Sequence, residues 1–186
     1  MHMKKVLITL FVAILTMQLS AQENLLTKGE RVLNVGIGFG STLYNGSGYN
    51  STVPPISASF EVGVKDDILD VGSIGVGGYL GYSAYKWEYA DWGHKFSDFI
   101  LGVRGTLHYP LVEKLDTYTG LMLGYEIISS KDFGRIDPLY DPDYSTSGVI
   151  WSWYAGGRYY FNDNFAVMAE LGYGIAYLNI GIAYKF

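Results

Sequence analysis

The chain has 186 residues, a formal net charge of −5 and no cysteine. This length suits one domain, and the lack of cysteine excludes a disulfide framework, a thiolate metal site and a lipid-anchored cysteine. The acidic balance, without a cluster of Lys and Arg, also excludes the electrostatic surface that nucleic-acid binding requires. Glycine occurs 24 times, a density that argues against long helices.

The first element in chain order is a predicted secretory signal at residues 1–21. Lys4 and Lys5 precede an apolar run of 12 residues, and Ala21 is a small residue at the expected cleavage point. The run is shorter than the roughly 20 apolar residues of a transmembrane helix. Leu19 stands where a smaller residue is commoner, which leaves the cleavage site open by a few positions. Because the segment holds two of the 13 basic residues and no acidic one, cleavage would change the formal charge from −5 to −7.

Eight amphipathic segments follow, and each predicts a β-strand. Apolar or aromatic residues occupy alternate positions in every segment, and small, polar or charged residues fill the others, which is the period of a strand with two different faces. In the last segment the alternating apolar residues are Leu178, Ile180, Ile182, Tyr184 and Phe186. The eight predicted strands span residues 31–41, 56–65, 71–87, 98–109, 116–128, 150–161, 165–173 and 178–186.

The predicted connections between the strands alternate in length. The tight connections are residues 66–70, 110–115 and 162–164, and the long ones are 44–53, 88–95 and 130–148. We expect all five prolines in connections or at strand ends, because proline interrupts a hydrogen-bond ladder. This organisation predicts an all-β fold, an eight-stranded antiparallel up-and-down barrel.

The two faces of these strands predict that the barrel crosses a membrane. Glycine and other small residues share one face, which suits the narrow inside of a barrel, and the bulky apolar face then points into lipid. Strands of about ten residues match the length that crosses a bilayer at a tilt. Eight charged residues on the glycine-rich face, four acidic and four basic, are predicted to form a charge network in the lumen: Glu61, Lys65, Asp98, Arg104, Glu126, Arg158, Glu170 and Lys185.

One ion pair within this network follows from the tight connection at 162–164. That turn predicts Arg158 opposite Met168 and one diagonal step from Glu170, a separation of about 7 to 8 Å on one face of a sheet. We therefore expect Arg158 and Glu170 to pair in the lumen, the alternative being that water solvates each charge. A soluble barrel of the lipocalin type would instead need these charges outside and the tryptophans inside.

The C-terminal strand carries a further signature. Tyr184 and Phe186 would lie at the membrane interface, where aromatic rings are favoured, while Lys185 would point into the lumen. The final aromatic and the stretch YAGGRYYFNDNFAVMAELGYGIAYLNIGIAYKF, residues 154–186, resemble the end of the small Gram-negative outer-membrane β-barrel proteins grouped as porin-family or OmpA/OmpX-like barrels. With the signal and the strand count, the resemblance covers the whole chain.

The resemblance implies a barrel in the cell outer membrane that contacts outer-membrane lipid. It implies that Tyr184 and Phe186 act as a C-terminal assembly signal, recognised by the barrel-assembly machinery, and it brings no catalytic residue, metal or cofactor. The signal and the eight strands place both termini in the periplasm, and we expect a monomer. The expected function is a membrane-embedded scaffold, not an enzyme, that meets an unknown extracellular partner through the long loop 130–148, in surface interaction, adhesion or envelope integrity. A narrow gated pore for small solutes and a lipid-modifying enzyme are the alternatives.

Two local motifs have simple explanations. Gly36, Gly38 and Gly40 imitate a nucleotide-binding loop, but their period of two runs inside a strand and the third glycine of that motif would fall on Ser41. The triplet DFG at 132–134 has none of the other motifs of a kinase. Neither motif therefore predicts nucleotide binding.

Candidates for metal ligation are few. The loop DPLYDPDYSTSG offers the carboxylates of Asp137, Asp141 and Asp143, but it lacks the glycine and the closing glutamate of a calcium-binding EF-hand, so a solvated acidic loop is preferred. His108 faces the lumen without a second histidine in the mature chain on that side, and a hydrogen bond inside the lumen is the better interpretation.

Catalysis has one candidate group. Some small outer-membrane barrels modify lipid A through a serine and a histidine near the outer rim, and His94, Ser97 and Asp98 lie at the corresponding end of the fourth strand. Ser97 and Asp98 point to opposite faces of that strand, and His94 is predicted to lie in a loop. A shared site would therefore need an irregular rim.

Overall fold

The computed structural model describes residues 25–41, 43, 48–69, 71–89, 92–134, 144–173 and 175–186. The predicted signal and the three aspartates of the acidic loop lie outside the described residues. Among those that are described, no helix is long and apolar enough to cross a membrane.

All eight predicted strands form, and they close into one barrel. Each strand pairs antiparallel with its neighbours in sequence, and β1 closes the ring against β8. The strands are β1 (Arg31–Phe39), β2 (Tyr49–Ile68), β3 (Gly72–Tyr89), β4 (Trp92–Val112), β5 (Leu115–Gly134), β6 (Tyr144–Tyr160), β7 (Phe165–Tyr173) and β8 (Leu178–Lys185). The eight-stranded up-and-down barrel is confirmed.

Four of the middle strands, β2, β4, β5 and β6, are clearly longer than the sequence pattern predicts, and β3 is about as long as predicted. Strands β2 to β6 contain 17 to 21 residues, and they extend into the connections predicted at 44–53, 88–95 and 130–148. Strands β3 and β4, for instance, stay paired as far as Tyr89 and Trp92. The period of two marks only the stretch with an apolar outer face. Where both faces of a strand meet water the alternation fades, although the hydrogen-bond ladder continues.

Two prolines lie inside a strand, which contradicts the expectation from sequence. Pro54 and Pro55 belong to β2, where the register shifts twice between Ser51 and Ile56. Pro110 lies beside another register shift near the end of β4. A bulge removes residues from the ladder, so the missing N–H of proline leaves no partner unpaired there.

The side chains divide between the two faces as predicted. Leu101, Val103, Leu121 and Leu123 point outward and are 58–66% exposed, an arrangement that suits lipid and would be costly in water. The inward side chains form a core between the strands that includes Tyr79, Ile100, Tyr118, Met122, Tyr154 and Ile175. The interior is therefore packed, although its residues are mostly small, aromatic or charged.

Residues 25–30 fold across one end of the barrel. Leu26 is fully buried there, and its carbonyl accepts a hydrogen bond of 2.6 Å from the hydroxyl of Ser73. Two backbone hydrogen bonds of 2.9 and 3.0 Å join Gly63 to the same segment. The ammonium group of Lys185 lies 3.2 Å from each of two oxygen atoms of the segment 25–30. The chain itself therefore closes this end, where β1 begins and β8 finishes.

Candidate functional site in the barrel lumen

A cluster of charges fills the lumen next to the end that residues 25–30 close. At its centre lies Arg158 of β6, which is 2% exposed. Its guanidinium donates to Glu61 at 2.5 Å, to Asp116 at 3.1 Å and to the side-chain oxygen of Asn34 at 2.9 Å. Because these partners come from β2, β5 and β1, one side chain joins four strands across the lumen.

His108 completes this first cluster. Its Nδ1 lies 2.9 and 3.1 Å from the carboxylate oxygens of Asp116, and its Nε2 lies 2.9 Å from Glu61. An ionised carboxylate only accepts hydrogen bonds, so beside two ionised carboxylates both ring nitrogens donate, which is the arrangement of an imidazolium ring. With Arg158 it supplies two positive charges to two carboxylates, as buried charges require. The predicted lumen hydrogen bond of His108 is confirmed.

A second cluster lies one layer further into the barrel. Arg104 of β4 donates to Glu170 of β7 at 2.7 Å, and the hydroxyl of Tyr118 donates to the same carboxylate at 3.3 Å. The Arg104 guanidinium lies over the ring of Tyr154, 3.6 Å from its centroid, where the ring face attracts a cation. The guanidinium carbon of Arg158 lies 4.6 Å from the Tyr118 centroid, so the two clusters are in contact.

The predicted pair of Arg158 with Glu170 is wrong. The register behind it is right, since Arg158 lies opposite Met168. The guanidinium nevertheless crosses the lumen to Glu61, and Glu170 is paired with Arg104 instead. Counting residues along hydrogen-bonded neighbouring strands identifies only partners on adjacent strands. A narrow closed barrel also brings side chains from strands on opposite sides of the lumen within hydrogen-bond distance.

The other predicted network residues lie elsewhere in the barrel. Lys185 belongs to the closed end, and Asp98, which accepts a hydrogen bond of 3.1 Å from Ser83, is buried with Glu126 in the opposite half of the lumen. Lys65 is exposed beyond a register shift in β2, and no ion pair joins it to the other described charges. Of the eight predicted residues, the two clusters bring together Glu61, Arg104, Arg158 and Glu170.

Asp116 is a carboxylate of the network for which sequence reasoning predicted no role. It is 1% exposed and contacts both Arg158 and His108. The signal is present in the alternation, since Asp116 shares the inward positions of β5 with Tyr118 and Glu126. A charge at the first position of a predicted strand is easily assigned to the preceding turn.

The space left beside the second cluster is small. A cavity of about 30 Å³ lies beside Arg104 and Glu170, with Tyr79 and Tyr154 also in its wall. One water molecule needs about 10 to 15 Å³ of such volume, so this cavity has room for a few water molecules at most. The interior of an eight-stranded barrel is just wide enough for side chains to fill, and around Arg104 and Glu170 the described side chains leave little space.

The candidate catalytic residues are not assembled into one site. His94 lies in β4 and not in the loop predicted for it, and its Nδ1 contacts Asp132 of β5. Ser83 donates to Asp98, while Ser97 points to the opposite face of the sheet. The described part of the chain also contains no group of three or more His, Cys, Asp or Glu side chains that could hold a metal ion.

Comparison with known proteins finds relatives of this fold among solved structures. No family model and no curated protein matches the sequence. Ail, the attachment invasion locus protein of Yersinia pestis, is 16% identical, with a TM-score of 0.54 over 86% of this chain and 100% of its own. The outer membrane protein OprG from Pseudomonas aeruginosa is 11% identical, with a TM-score of 0.54 over 88% of this chain and 99% of its own. The N-terminal β-barrel domain of OprF from the same organism is 15% identical, with a TM-score of 0.51 over 86% of this chain and 98% of its own.

These likenesses define the class of fold. The three structures are eight-stranded β-barrels of Gram-negative outer membranes, and this chain has the same antiparallel transmembrane β-barrel fold. Identities of 11 to 16% establish the fold alone, so the function has to be argued from this chain's own residues.

Proposed function

We propose that the protein is a structural barrel of the outer membrane, a scaffold that holds loops at the cell surface for surface interaction, adhesion or envelope integrity. The observation that carries this proposal is the filled lumen, in which Arg158 and Arg104 pair with carboxylates from other strands. Such an interior stabilises the barrel and leaves a cavity of only about 30 Å³ beside the second cluster. The scaffold interpretation therefore suits the lumen better than a pore does.

The two ends of the barrel support an orientation. Val32 pairs with Lys185, so β1 begins and β8 finishes at the same end, which lies in the periplasm after residues 1–21 have been removed as a signal. The long hairpins formed by β2 to β6 then extend from the cell surface. The connection between β5 and β6, within the loop 130–148 predicted from sequence, is the proposed contact for an extracellular partner.

The aromatic residues at the C-terminus support assembly in this orientation. Tyr184 lies edge-on to Phe165 and to Phe186, with ring centroids 4.7 and 4.8 Å apart. Aromatic rings of this kind are favoured at a membrane interface. Tyr184 and Phe186 remain on the outer side of the closing strand and form the proposed signal for the barrel-assembly machinery.

Adhesion has a precedent within the fold. Ail is an attachment invasion locus protein, and one of its structures contains the heparin analogue sucrose octasulfate. That observation belongs to Ail, whose identity to this chain is too low to transfer a ligand. It supports surface attachment as one of the uses open to this scaffold.

Two measurements test the proposal. In a Gram-negative host the protein should fractionate with the outer membrane, and its folded and boiled forms should migrate differently on a denaturing gel. In planar bilayers the folded protein should show no large, steady conductance. Recovery in the soluble periplasm without detergent would contradict the membrane assignment, and a large steady conductance would replace the scaffold with the pore.

A further inference from the structure

Three lysines form a continuous row across three neighbouring strands. Lys86 of β3 pairs with Lys95 of β4, and Lys95 pairs in turn with Lys131 of β5. In each strand the lysine occupies the set of alternate positions opposite to that of the buried inward residues, such as Asp98 in β4. All three lysines therefore lie on the outer face of the barrel. Lys95 and Lys131 are exposed, and Lys86 is partly exposed.

The row occupies a defined height above the apolar surface. The next row on the same face consists of small side chains, Ala84, Ser97 and Ser129. The row after that is apolar and consists of Tyr82, Phe99 and Ile127. Four residues of strand cover about 13 Å, and with the usual strand tilt this corresponds to about 10 Å in height. In this structure the ammonium groups of Lys86 and Lys95 lie against Glu88 and Phe133, one row further from the apolar surface. A lysine stem can swing back toward the membrane surface, which would bring its ammonium group to the level of the lipid head groups.

The row has an energetic cost that the protein itself offsets only in part. Like charges directly opposite each other on a sheet repel. Lys86 Nζ lies 2.7 Å from the carboxylate of Glu88, and the ammonium groups of Lys86 and Lys95 lie 4.5 and 5.4 Å from the ring centroid of Phe133. Among the described residues, the carboxylate of Glu88 is the only one that forms an ion pair with any of these three ammonium groups.

We propose that this row binds phosphate groups on the head groups of the outer-leaflet lipid that surrounds the barrel. The inference rests on the proposed outer-membrane location, which puts this end of β3, β4 and β5 at the cell surface. Lysine presents a compact positive charge that suits phosphate, and basic residues beside a membrane surface attract anionic lipids. Below the row, Ser97 and Ser129 place only short side chains between the lysines and the apolar belt.

The test compares variants that lose one charge each. Lys86→Gln, Lys95→Gln, Lys131→Gln and the triple variant are purified as full barrels in a zwitterionic detergent, with Lys65→Gln as the matched control. Lys65 of β2 is also exposed, but it pairs with Ile74 near the opposite end of the barrel from the lysine row. Calorimetric titration with mixed micelles of lipid A measures phosphate-dependent binding, and dephosphorylated lipid A and a soluble sulfated oligosaccharide serve as the other two probes.

Each lysine should contribute about fivefold to the affinity for lipid A, and the triple variant should lose about 100-fold. The Lys65→Gln variant should bind lipid A as tightly as the unmodified protein does. Removing the phosphates from lipid A should weaken its binding to the unmodified protein at least as much as the triple substitution weakens the binding of lipid A. Equal binding of lipid A by the triple variant and the unmodified protein would overturn the proposal. Tight binding of the soluble sulfated sugar alone would also overturn it, in favour of a soluble polyanion.

The gel shift between folded and boiled samples separates this proposal from the one it rests on. If the unmodified barrel shows the shift and fractionates with the outer membrane but the variants bind lipid A normally, only the lysine row is refuted. If the unmodified protein fractionates with the soluble periplasm, the outer-membrane scaffold is refuted first. Should the triple variant fail to fold, the three single variants decide the question through their fivefold losses.

Discussion

Arg158 is buried at the centre of the barrel, yet its guanidinium faces two carboxylates and an amide oxygen. His108 bridges the same two carboxylates from the other side. Each charge in this cluster depends on the others, because removing one partner leaves the remaining charges buried without compensation. At the scale of single residues, the lumen cluster is therefore the place where a substitution should have its largest effect.

Arg158→Met is predicted to lower the free energy of unfolding by about 3 to 5 kcal/mol, since it keeps the volume but leaves Glu61 and Asp116 with His108 alone. Denaturant unfolding in lipid vesicles measures the effect. Lys28→Met is the control, because Lys28 is exposed and its loss should change the free energy of unfolding by less than about 0.5 kcal/mol. Equally small losses in both variants would show that water, and not the carboxylates, solvates Arg158.

At the scale of elements, the closing contact between β1 and β8 is a tight one. Gly181 of β8 lies opposite Gly36 of β1 on the inward face. A Cβ added to Gly181 would collide with the backbone of Val35 and Gly36. The strands therefore approach closely here because glycine occupies the position, and any side chain would force the backbones apart.

Gly181→Ala is predicted to cost about 1 to 3 kcal/mol of stability, because the backbone of β1 has to move. Gly105 of β4 supplies the matched control, since a Cβ there would meet no atom within 4 Å. Gly105→Ala should leave the free energy of unfolding nearly unchanged in the same vesicles. A Gly181→Ala variant as stable as Gly105→Ala would mean that the seam between β1 and β8 tolerates a wider spacing.

At the scale of the whole molecule, the two ends of the barrel differ. One end carries the start of β1 and the finish of β8, and residues 25–30 close it. The other end carries the long hairpins, whose paired strands continue to Tyr89 and Trp92 in one case and to Ser130 and Tyr144 in another. This asymmetry is what supports the proposed periplasmic position of the termini.

An epitope tag inserted after Asp141 is predicted to be reachable by antibody on intact cells, while the barrel still folds. The position lies between β5 and β6, at the end of the barrel opposite the termini, and exposed connections tolerate insertions. A tag in the turn between β6 and β7, after Asp163, is the control and should be reached only after the outer membrane is opened. The reverse pattern of accessibility would invert the proposed topology.

Much of the fold could be predicted from sequence, and less of the site. The number of strands and the identity of their inward faces follow from alternation, and β7 has the predicted bounds. The lengths of β2, β4, β5 and β6 could not be predicted, because the alternation ends where the strands leave the apolar belt, whereas β3 has nearly its predicted length. Within the site, the inward position of Arg158 and its register against Met168 were predictable, but its partners were not.

What the sequence alone determined is therefore local: the period of two, the apolar outer face and the charges on the inner one. These properties depend on neighbours one or two positions away, which a single strand already contains. Only the closed barrel decided that Arg158 reaches Glu61 and Asp116, that Arg104 reaches Glu170, and that three lysines form one row. Those contacts join residues far apart in the chain, and their geometry exists only once the ring of strands has closed.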